Sequence, residues 1–423
     1  MSTVKRKHTA TTGLALLALL AGLFAFAVPV GADNPRVIQV SSEEIGDLYD
    51  AVYDELGNSR ENVTIFLEPG VYALEIQSET ESRPFGGRLV LGDGTVLYST
   101  LRMAVDDNGV PLVDDESGEP TVLEEGAVID GSGLVPDPFG EGIIVVGYKG
   151  QVARLTVAGG ILPGIEVTTR GTVSGVYSWG HSMGFRVRAA SAAARTHGTL
   201  KGNVSTGNFA GISILTNESA RFGDDRVDNA VVRATLIQNA CVGNYTFNLA
   251  VLGGLGTNNN DFHVTVSGNV FRGVSPDSVN IAVVGGEDFY SPGANHNSVK
   301  VALDGNFIAD GRFGLALTGG SLQDADGQSD LSIPREQRKS SNNRVVVTIS
   351  DTTFQGYDGD DTWAISAVGS YADPDPDPDA DLSGGDYNTV KVTVDGGPLS
   401  TQEHDCLWPA GYECTSEATI TYE

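Results

Sequence analysis

One strand-and-turn unit recurs along most of this 423-residue chain, and it constrains the fold more than any other feature. The repeats align on a turn position held by Asn203, Asn239, Asn269, Asn306, Thr352 and Gly397. Three, five and seven positions before this turn the residues are mostly apolar, whereas those between them are mostly Thr or basic. A period of two places the apolar columns on one face of each strand. Each repeat therefore has one face to bury.

A second short strand follows each turn, with a pattern close to Gly-Ile-x-Val. The first three copies begin at Gly142, Gly164 and Phe185, so that one repeat has about 22 residues, and later repeats are longer because of insertions after this strand. A single repeat cannot bury its apolar columns, but stacked repeats can, and aligned Asn side chains can form a ladder along the stack. The sequence predicts an all-β, right-handed parallel β-helix. An antiparallel sandwich, the alternative, would not explain columns that align residue by residue.

A helix is predicted before the repeats. Ser41 and Glu44 form a capping-box pattern, and Gly57 suits the C-terminal end. The apolar residues at helical spacing are Ile45, Leu48, Val52 and Leu56. We expect this helix to cap the N-terminal end of the stack.

The stacked repeats, the Gly-Asn turns and the capping helix together resemble the pectin-lyase-like superfamily of parallel β-helices. The resemblance covers about residues 60–400 and, with the cap, predicts a β-helix domain over residues 33–400. The pattern is specific for the fold and not for an activity. The chain lacks the paired-Asp and Gly-His-Gly segments of polygalacturonases and the Trp-x-Asp-His segment of pectate lyases.

The two ends of the chain have their own patterns. Three basic residues precede an apolar stretch over residues 13–28, which predicts a secretory signal peptide over residues 1–32. A transmembrane anchor is the alternative, but the stretch is short for a membrane span. We therefore expect a secreted or cell-surface protein without a membrane span after signal removal. At the other end, Cys406 and Cys414 predict a disulfide clasp within a C-terminal segment of residues 401–423.

The net charge of -29 excludes a general nucleic-acid binder, because phosphate repels such a surface. The acidic run of residues 373–379 alternates Asp with Pro and is predicted to be a solvated loop, with a calcium site as the alternative. No other metal site and no cofactor is expected. Cys241 is predicted to be a small buried residue.

In the superfamily, the sheet that contains the Gly-Ile-x-Val strand usually forms the floor of a substrate groove. The resemblance therefore implies that the outward residues of this strand are site candidates. They are predicted to be Ile144, Val146, Glu166, Thr168, Arg186, Arg188, Ser213, Leu215, Ala250, Leu252, Ala282, Val284, Ala316 and Thr318. Because the later ones are small or apolar, we expect insertions to cover them and to limit any groove to the part between Glu166 and Leu215.

One patch among these residues combines several chemical groups. The candidates for catalysis are His181, Arg186, Arg188 and Glu166, and those for substrate binding are Trp179, Thr168, Ser213, His197 and Arg233. Arginines could bind a uronate carboxylate in bidentate geometry, while His181 removes the adjacent proton and Trp179 stacks on a sugar face. The alternative is a structural cross-strand pair of Glu166 and Arg186.

His197 and Arg233 belong to a basic column on the first strand of the repeat, with His263, Lys300 and Lys391. This column could attract an acidic glycan, or its long side chains could cover apolar surface and pair with nearby Asp. Taken together, the features predict a secreted, monomeric protein that binds, and could cleave, an extracellular acidic polysaccharide as a lyase or glycoside hydrolase. The alternative is a non-catalytic surface, adhesion or structural β-helix.

Overall fold

Three parallel β-sheets form the predicted right-handed parallel β-helix, and successive coils add strands to each sheet. The computed structural model describes residues 36–43, 45–75, 86–115, 117–216, 227–288, 294–322, 340–359, 361–372, 387–407 and 415–423. The predicted signal peptide over residues 1–32 and the Asp-Pro run of residues 373–379, with its alternative calcium site, lie outside the described residues.

In the described part of the chain, the three sheets contain twelve, nine and ten strands, and each sheet takes its strands in chain order. Sheet 1 has twelve strands: Arg36–Val40, Val63–Leu67, Val96–Tyr98, Gly150–Ala153, Arg170–Ser174, Arg195–Lys201, Val231–Ile237, Asp261–Ser267, Ser298–Asp304, Arg344–Ser350, Thr389–Val394 and Glu417–Tyr422. Sheet 2 has nine: Gly70–Glu75, Ala127–Gly133, Thr156–Ala158, Tyr177–Trp179, Val204–Thr206, Ala240–Val242, Val270–Arg272, Phe307–Ala309 and Thr353–Gln355. Sheet 3 has ten: Leu89–Val90, Ile144–Val146, Ile165–Val167, Met183–Ala189, Ala210–Thr216, Phe247–Leu252, Val279–Asp288, Phe313–Leu322, Trp363–Ala372 and Thr401–Leu407.

The apolar columns predicted from the repeat point into the core. In sheet 1, parallel pairing places Leu200 beside Leu236 and Val266, and the column continues through the next coils in the same register. All three side chains are buried in one continuous cluster that extends through the coils. Cys241 is also fully buried in this cluster, and burial raises the pKa of its thiol.

The predicted Asn ladder is confirmed at the corner between sheets 1 and 2. Asn203 Nδ2 donates to Asn239 Oδ1 at 3.0 Å, Asn239 Nδ2 to Asn269 Oδ1 at 2.8 Å, and Asn269 Nδ2 to Asn306 Oδ1 at 3.1 Å. The residue before each Asn has a positive φ, which is 62° at Gly202, and this explains the preference for Gly in the Gly-Asn turn.

The other two corners carry ladders that the repeat alignment missed. Asn260, Asn297, Asn343 and Asn388 form the ladder between sheets 3 and 1, with each Nδ2-to-Oδ1 distance 3.1 Å. Asn208, Asn244, Asn248 and Asn280 form the ladder between sheets 2 and 3, with distances of 3.2, 2.8 and 2.7 Å. All of these side chains are buried, and their amides bond to one another, mostly between neighbouring coils and in the case of Asn244 and Asn248 within one coil.

The N-terminal cap is a helix over Ile45–Val52, which is shorter than the sequence predicted. Leu48 and Val52 are buried against the first coils, and Tyr49 donates its hydroxyl to the carbonyl oxygen of Gly87 at 2.7 Å. Leu56, which was predicted to share the buried face, lies beyond the helix and is 78% exposed. Glu44 of the predicted capping box lies outside the described residues.

The β-helix extends past residue 400, where the sequence analysis ended the domain. Thr401–Leu407 is the last strand of sheet 3, and Glu417–Tyr422 is the last strand of sheet 1. Cys406 is disulfide-bonded, whereas Cys414 lies outside the described residues, so the predicted clasp stays a prediction. Within the described part of the chain, no helix has the length and apolarity needed to cross a membrane.

One excursion interrupts the coil between sheets 1 and 2 and was not predicted. Residues 101–126 contain the antiparallel pair Arg102–Met103 and Val122–Glu124. Leu101, Met103 and Val110 of this excursion pack against Val204 and Ala240 on the outer face of sheet 2. The excursion therefore covers part of a sheet that would otherwise face solvent.

We expect Asn239→Ala to lower the free energy of unfolding by about 2–3 kcal/mol, because buried groups in the two adjacent coils lose their hydrogen bonds to the side-chain amide of Asn239. Asn108→Ala is the matched control, since it removes an amide from an exposed position in the 101–126 excursion. Urea denaturation of both variants checks this. Equal stability of the two variants would show that the ladder does not stabilise the stack.

Candidate functional site

The outward columns of sheet 3 align as predicted from its third strand onward. One row contains Glu166, Arg186, Ser213, Ala250, Ala282 and Ala316. The parallel row contains Arg188, Leu215, Leu252, Val284 and Thr318. The preceding strand differs, because Val145 pairs with Glu166 while Ile144 and Val146 belong to the core. The prediction that Ile144 and Val146 face outward is wrong by one residue, and a one-residue shift reverses the face of every side chain.

Glu166, Arg186 and Arg188, called here the ion triad, form one buried cluster. Glu166 Oε2 lies 2.7 Å from Arg186 Nη2, and Glu166 Oε1 lies 2.5 Å from Arg188 Nε. Glu166 and Arg186 have no exposed surface, and Arg188 is 6% exposed. Burial raises the pKa of Glu166, but the charges of Arg186 and Arg188 outweigh this effect and hold the pKa below its ordinary value. The triad is therefore charged at neutral pH.

Residues 137–142 form a strap that covers the ion triad. Glu166 Oε2 accepts a hydrogen bond from the backbone N–H of Gly142 at 2.8 Å. Arg186 donates to the carbonyl oxygens of Gly140 and Phe139. These charged side chains were predicted to lie on an open groove floor, whereas the strap separates Glu166 and Arg186 from solvent. In this arrangement the triad anchors the strap.

His181 occupies a position in the Asn ladder between sheets 2 and 3. Gly180, Gly207 and Gly243 all have positive φ, and the residues that follow them are His181, Asn208 and Asn244. The backbone N–H of His181 donates to Asn208 Oδ1 at 2.9 Å, as the N–H of Asn208 does to Asn244 Oδ1 at 3.3 Å. His181 thus replaces an Asn at the end of this ladder.

The imidazole ring of His181 also makes the hydrogen bond that an Asn side chain makes in the next coils. Nε2 lies 3.1 Å from the carbonyl oxygen of Val157, which corresponds to the bonds of Asn208 to Ser178 and of Asn244 to Ser205. Burial lowers the pKa of His181 to about 4, so the ring is neutral at pH 7. Its Nε2 hydrogen is committed to a backbone carbonyl. These contacts give His181 a structural role, and the Gly-His turn in the sequence could have revealed it.

The predicted binding residues are distributed over all three sheets. Trp179 lies on sheet 2, while His197 and Arg233 are adjacent in the outer column of sheet 1. Thr168 follows a strand of sheet 3 and accepts a hydrogen bond from Thr196 through its carbonyl oxygen at 2.9 Å. Ser213 is the predicted binding residue that lines the groove on sheet 3. The predicted single neighbourhood is therefore divided.

Further along the basic column, Asp261 contacts two of its members. His263 Nε2 lies 2.7 Å from Asp261 Oδ2, and Lys300 Nζ lies 3.8 Å from Asp261 Oδ1. These contacts agree with the alternative in which the basic column pairs with nearby Asp and does not attract a glycan. Both pairs are partly exposed, so each contributes little stability.

An open groove of about 830 Å³ runs along the outer face of sheet 3. Its floor consists of small side chains from successive coils, namely Ser213, Ala250, Ala282 and Ala316. Leu215, Leu252 and Leu255 form an apolar side, and Phe139 of the strap lies at one end. The described lining of the groove extends beyond Leu215 to Ala282 and Ala316 of the later coils, and the strap covers the Glu166 end. Much of the insertions expected to cover these coils, residues 289–293 and 323–339, lies outside the described residues.

Two largely exposed aromatic residues that were not predicted from the sequence line this groove, in addition to the partly buried Phe139 and Phe247. Phe209 is 57% exposed and Tyr245 is 71% exposed. Each follows a ladder Asn at the corner between sheets 2 and 3, in the sequences Gly-Asn-Phe and Gly-Asn-Tyr. An aromatic residue directly after a Gly-Asn turn was the sequence signal that could have identified these two residues. Among the described residues that line the groove, none is Lys or Arg, and Glu287 is the only carboxylic acid.

Three solved structures align with most of this chain at low sequence identity. The A-module of the mannuronan C-5 epimerase AlgE4 of Azotobacter vinelandii is 14% identical, with a TM-score of 0.34 over 92% of this chain and 98% of that one. A mutant of the periplasmic alginate epimerase AlgG is 10% identical, with a TM-score of 0.32 over 92% and 86% of the two chains. The family 28 exopolygalacturonase of Yersinia enterocolitica is 11% identical, with a TM-score of 0.28 over 93% and 78%.

The parallel sheets of the chain itself agree with the parallel β-helix that the repeat predicted. No protein-family model matches the chain, and no curated protein matches it either.

We expect Glu166→Gln to lower the free energy of unfolding by about 3–5 kcal/mol, because two buried arginines would lose their counter-charge. The amide of Gly142 should also exchange its hydrogen faster, since the anchor of the strap is weakened. Glu124→Gln is the control, because Glu124 pairs with Arg102 at 3.9 Å on the surface, and its loss should cost less than about 1 kcal/mol. Denaturation and hydrogen exchange measure both effects, and a Glu166→Gln protein as stable as the control would contradict the structural role.

A second prediction concerns pH. Since the pKa of His181 is about 4 in the folded chain and about 6.5 when unfolded, the unfolded state binds the proton more readily. The stability contributed by neutral His181 is complete above pH 6.5 and is lost as the pH falls toward 4. We expect His181→Asn to fold and to remove this loss, because Asn restores the ladder side chain, whereas His197→Gln should retain it. Thermal denaturation between pH 4 and 8 tests this, and an unchanged pH profile in His181→Asn would refute it.

Proposed function

We propose that this protein is secreted, acts as a monomer, and binds a neutral polysaccharide in the groove on sheet 3. The observation that carries the proposal is the groove itself, with a floor of small residues and two exposed aromatic side chains at its edge. Binding sites commonly combine an apolar lining with a few polar groups that orient the ligand. Here Ser213, Thr318 and Glu287 supply polar atoms among the apolar residues.

The length of the groove favours an extended ligand. It crosses five neighbouring strands of sheet 3, from Met183–Ala189 to Phe313–Leu322. Four strand spacings of about 4.8 Å correspond to roughly 19 Å along the stack. Because Ala250, Ala282 and Ala316 project little from the sheet, a ring can lie close to the backbone. A chain of sugar rings has the length and the flat apolar faces for such a floor.

The aromatic edge supplies the second element of sugar binding. Phe209 and Tyr245 belong to neighbouring coils, because the strands that follow them pair through Ala210 and Phe247. An exposed aromatic ring attracts the polarised C–H groups on the apolar face of a pyranose, because the face of the ring carries negative charge. The Tyr245 hydroxyl can also bond to a sugar hydroxyl. Two such side chains on consecutive coils can contact successive sugars of one chain.

The charge of the site favours a neutral chain over the acidic one that the sequence analysis expected. No Lys or Arg is among the described residues that line the groove, and Glu287 would repel a uronate. The arginines expected to bind a carboxylate are engaged with Glu166 beneath the strap. The net charge of -29 adds a general repulsion of polyanions.

Binding is favoured over cleavage by the carboxylic acids available. Glycoside hydrolysis in most families needs a pair of carboxylic acids on either side of the scissile bond. Glu287 stands as the single carboxylic acid in the described lining, and Glu166 is buried and bonded to two arginines. The non-catalytic interpretation of the sequence therefore has the stronger physical support. A lyase using His181 would need its ring to leave the Asn ladder.

We expect Phe209→Ala and Tyr245→Ala each to weaken polysaccharide binding roughly three- to tenfold, because each removes one aromatic contact. Tyr148→Ala is the matched control, since Tyr148 is 44% exposed and does not line the groove. Affinity electrophoresis in gels that contain neutral glucans, mannans, polygalacturonate or alginate measures the effect. Assays of reducing ends and unsaturated products on the same polymers test for cleavage.

Retardation by a neutral polymer, reduced in both groove variants and unchanged in Tyr148→Ala, would support the proposal. Retardation by polyuronates alone, or equal binding by all variants, would refute it. Products released by the wild type would restore the catalytic hypothesis.

A further inference from the structure

A second concave site lies on sheet 2, around the corner from the groove. It has a volume of about 430 Å³. Its floor consists of Tyr177, Trp179 and Thr206 from two neighbouring strands, and one wall comes from the 101–126 excursion. The wall residues are Ser117, Glu119, Pro120 and Val122, and Gly207 contributes to both this site and the groove. We call it the Trp179 cleft.

The wall of the cleft is fixed on the sheet. Thr206 Oγ1 donates to the carbonyl oxygen of Ser117 at 3.0 Å, and Arg272 pairs with Asp115 of the same excursion. Gly118 makes the close approach possible, because it has a φ of 73° and a Cβ there would lie 2.4 Å from Thr206 Oγ1. A wall that is held at several points is already ordered before a ligand binds, which lowers the entropic cost of binding.

The groups inside the cleft match one kind of ligand. Trp179 is 45% exposed and presents an indole ring to the cleft. Burial and the nearby Glu119 carboxylate raise the pKa of Tyr177 to about 12, so its hydroxyl keeps its proton and can donate. Glu119 is exposed and can accept hydrogen bonds. An apolar stacking face beside a donor and a charged acceptor is complementary to a sugar ring with its hydroxyl groups.

We propose that the Trp179 cleft is a separate binding site for a single neutral pyranose unit. The indole of Trp179 stacks on the apolar face of the ring, while Glu119 accepts hydrogen bonds from two of its hydroxyls. Glu119 is the one ionisable carboxyl group among the described residues of the cleft, which disfavours a uronate. The small volume admits one ring rather than a chain. This site does not depend on the groove, although the two adjoin at Gly207.

Tryptophan fluorescence tests the proposal, because Trp179 reports directly on the cleft. Cellohexaose, laminarihexaose, maltohexaose and mannohexaose are titrated separately into the full-length protein. We expect a saturable emission change with at least one of them. Glu119→Gln should weaken this binding about tenfold, since a charged acceptor is lost while the reporter stays in place. Tyr245→Ala, which alters only the groove, should leave the titration unchanged.

The Trp179→Phe variant distinguishes the fluorescence of Trp179 from that of the other tryptophans. Calorimetry should show that this variant retains binding through its smaller aromatic ring, whereas Trp179→Ala loses it, and neither should show the emission change. The proposal is overturned if no hexasaccharide changes the emission, if the change persists in Trp179→Phe, or if it disappears in Tyr245→Ala but not in Glu119→Gln. Because groove binding is read separately by affinity electrophoresis of Phe209→Ala, failure at one site is distinguishable from failure at the other.

Discussion

Hydrogen bonding between coils is the interaction on which the rest of this structure depends. The strands of the three large sheets pair in parallel with strands of the coils above and below, so a coil by itself leaves its backbone polar groups unsatisfied. The pairing also sets the side chains in register at a spacing of about 4.8 Å along the stack. Each position of the repeat therefore becomes a column. Valine and leucine columns form the core, and asparagine columns bond along the corners.

The distinctive surfaces arise where a column changes its residue type. In the outer row of sheet 3, Glu166 and Arg186 are followed by Ser213 and then by alanines. The charged end binds the 137–142 strap and is sealed, whereas the small residues leave space for the groove. At the adjacent corner, His181 replaces an Asn and continues the same hydrogen bonds. A break in a column can thus serve stability or binding, and only its contacts distinguish the two.

The sequence allowed the periodic part of the structure to be predicted. The inward columns, the Gly-Asn ladder and the row that joins Glu166 to Arg186 all follow from a period of two within strands and a repeat between coils. Prediction was poorer where the repeat is irregular. The strand Ile144–Val146 has a register shifted by one residue, and the excursion over residues 101–126 has no counterpart in the other coils. Prediction was least accurate for the candidate site, because the burial of an outward side chain depends on which loop crosses its strand.

By itself, the sequence determined that this chain is a stack of coils, since alternating apolar residues repeated at coil spacing can be buried only by neighbouring copies. It also determined that the acidic Glu166 and basic Arg186 would be adjacent, because pairing in register requires it. Only the tertiary structure decided that the strap buries this pair, that Trp179 lies on a different sheet, and that Phe209 and Tyr245 border the groove. The repeat fixes positions within a coil, whereas exposure depends on irregular segments that fold across several coils.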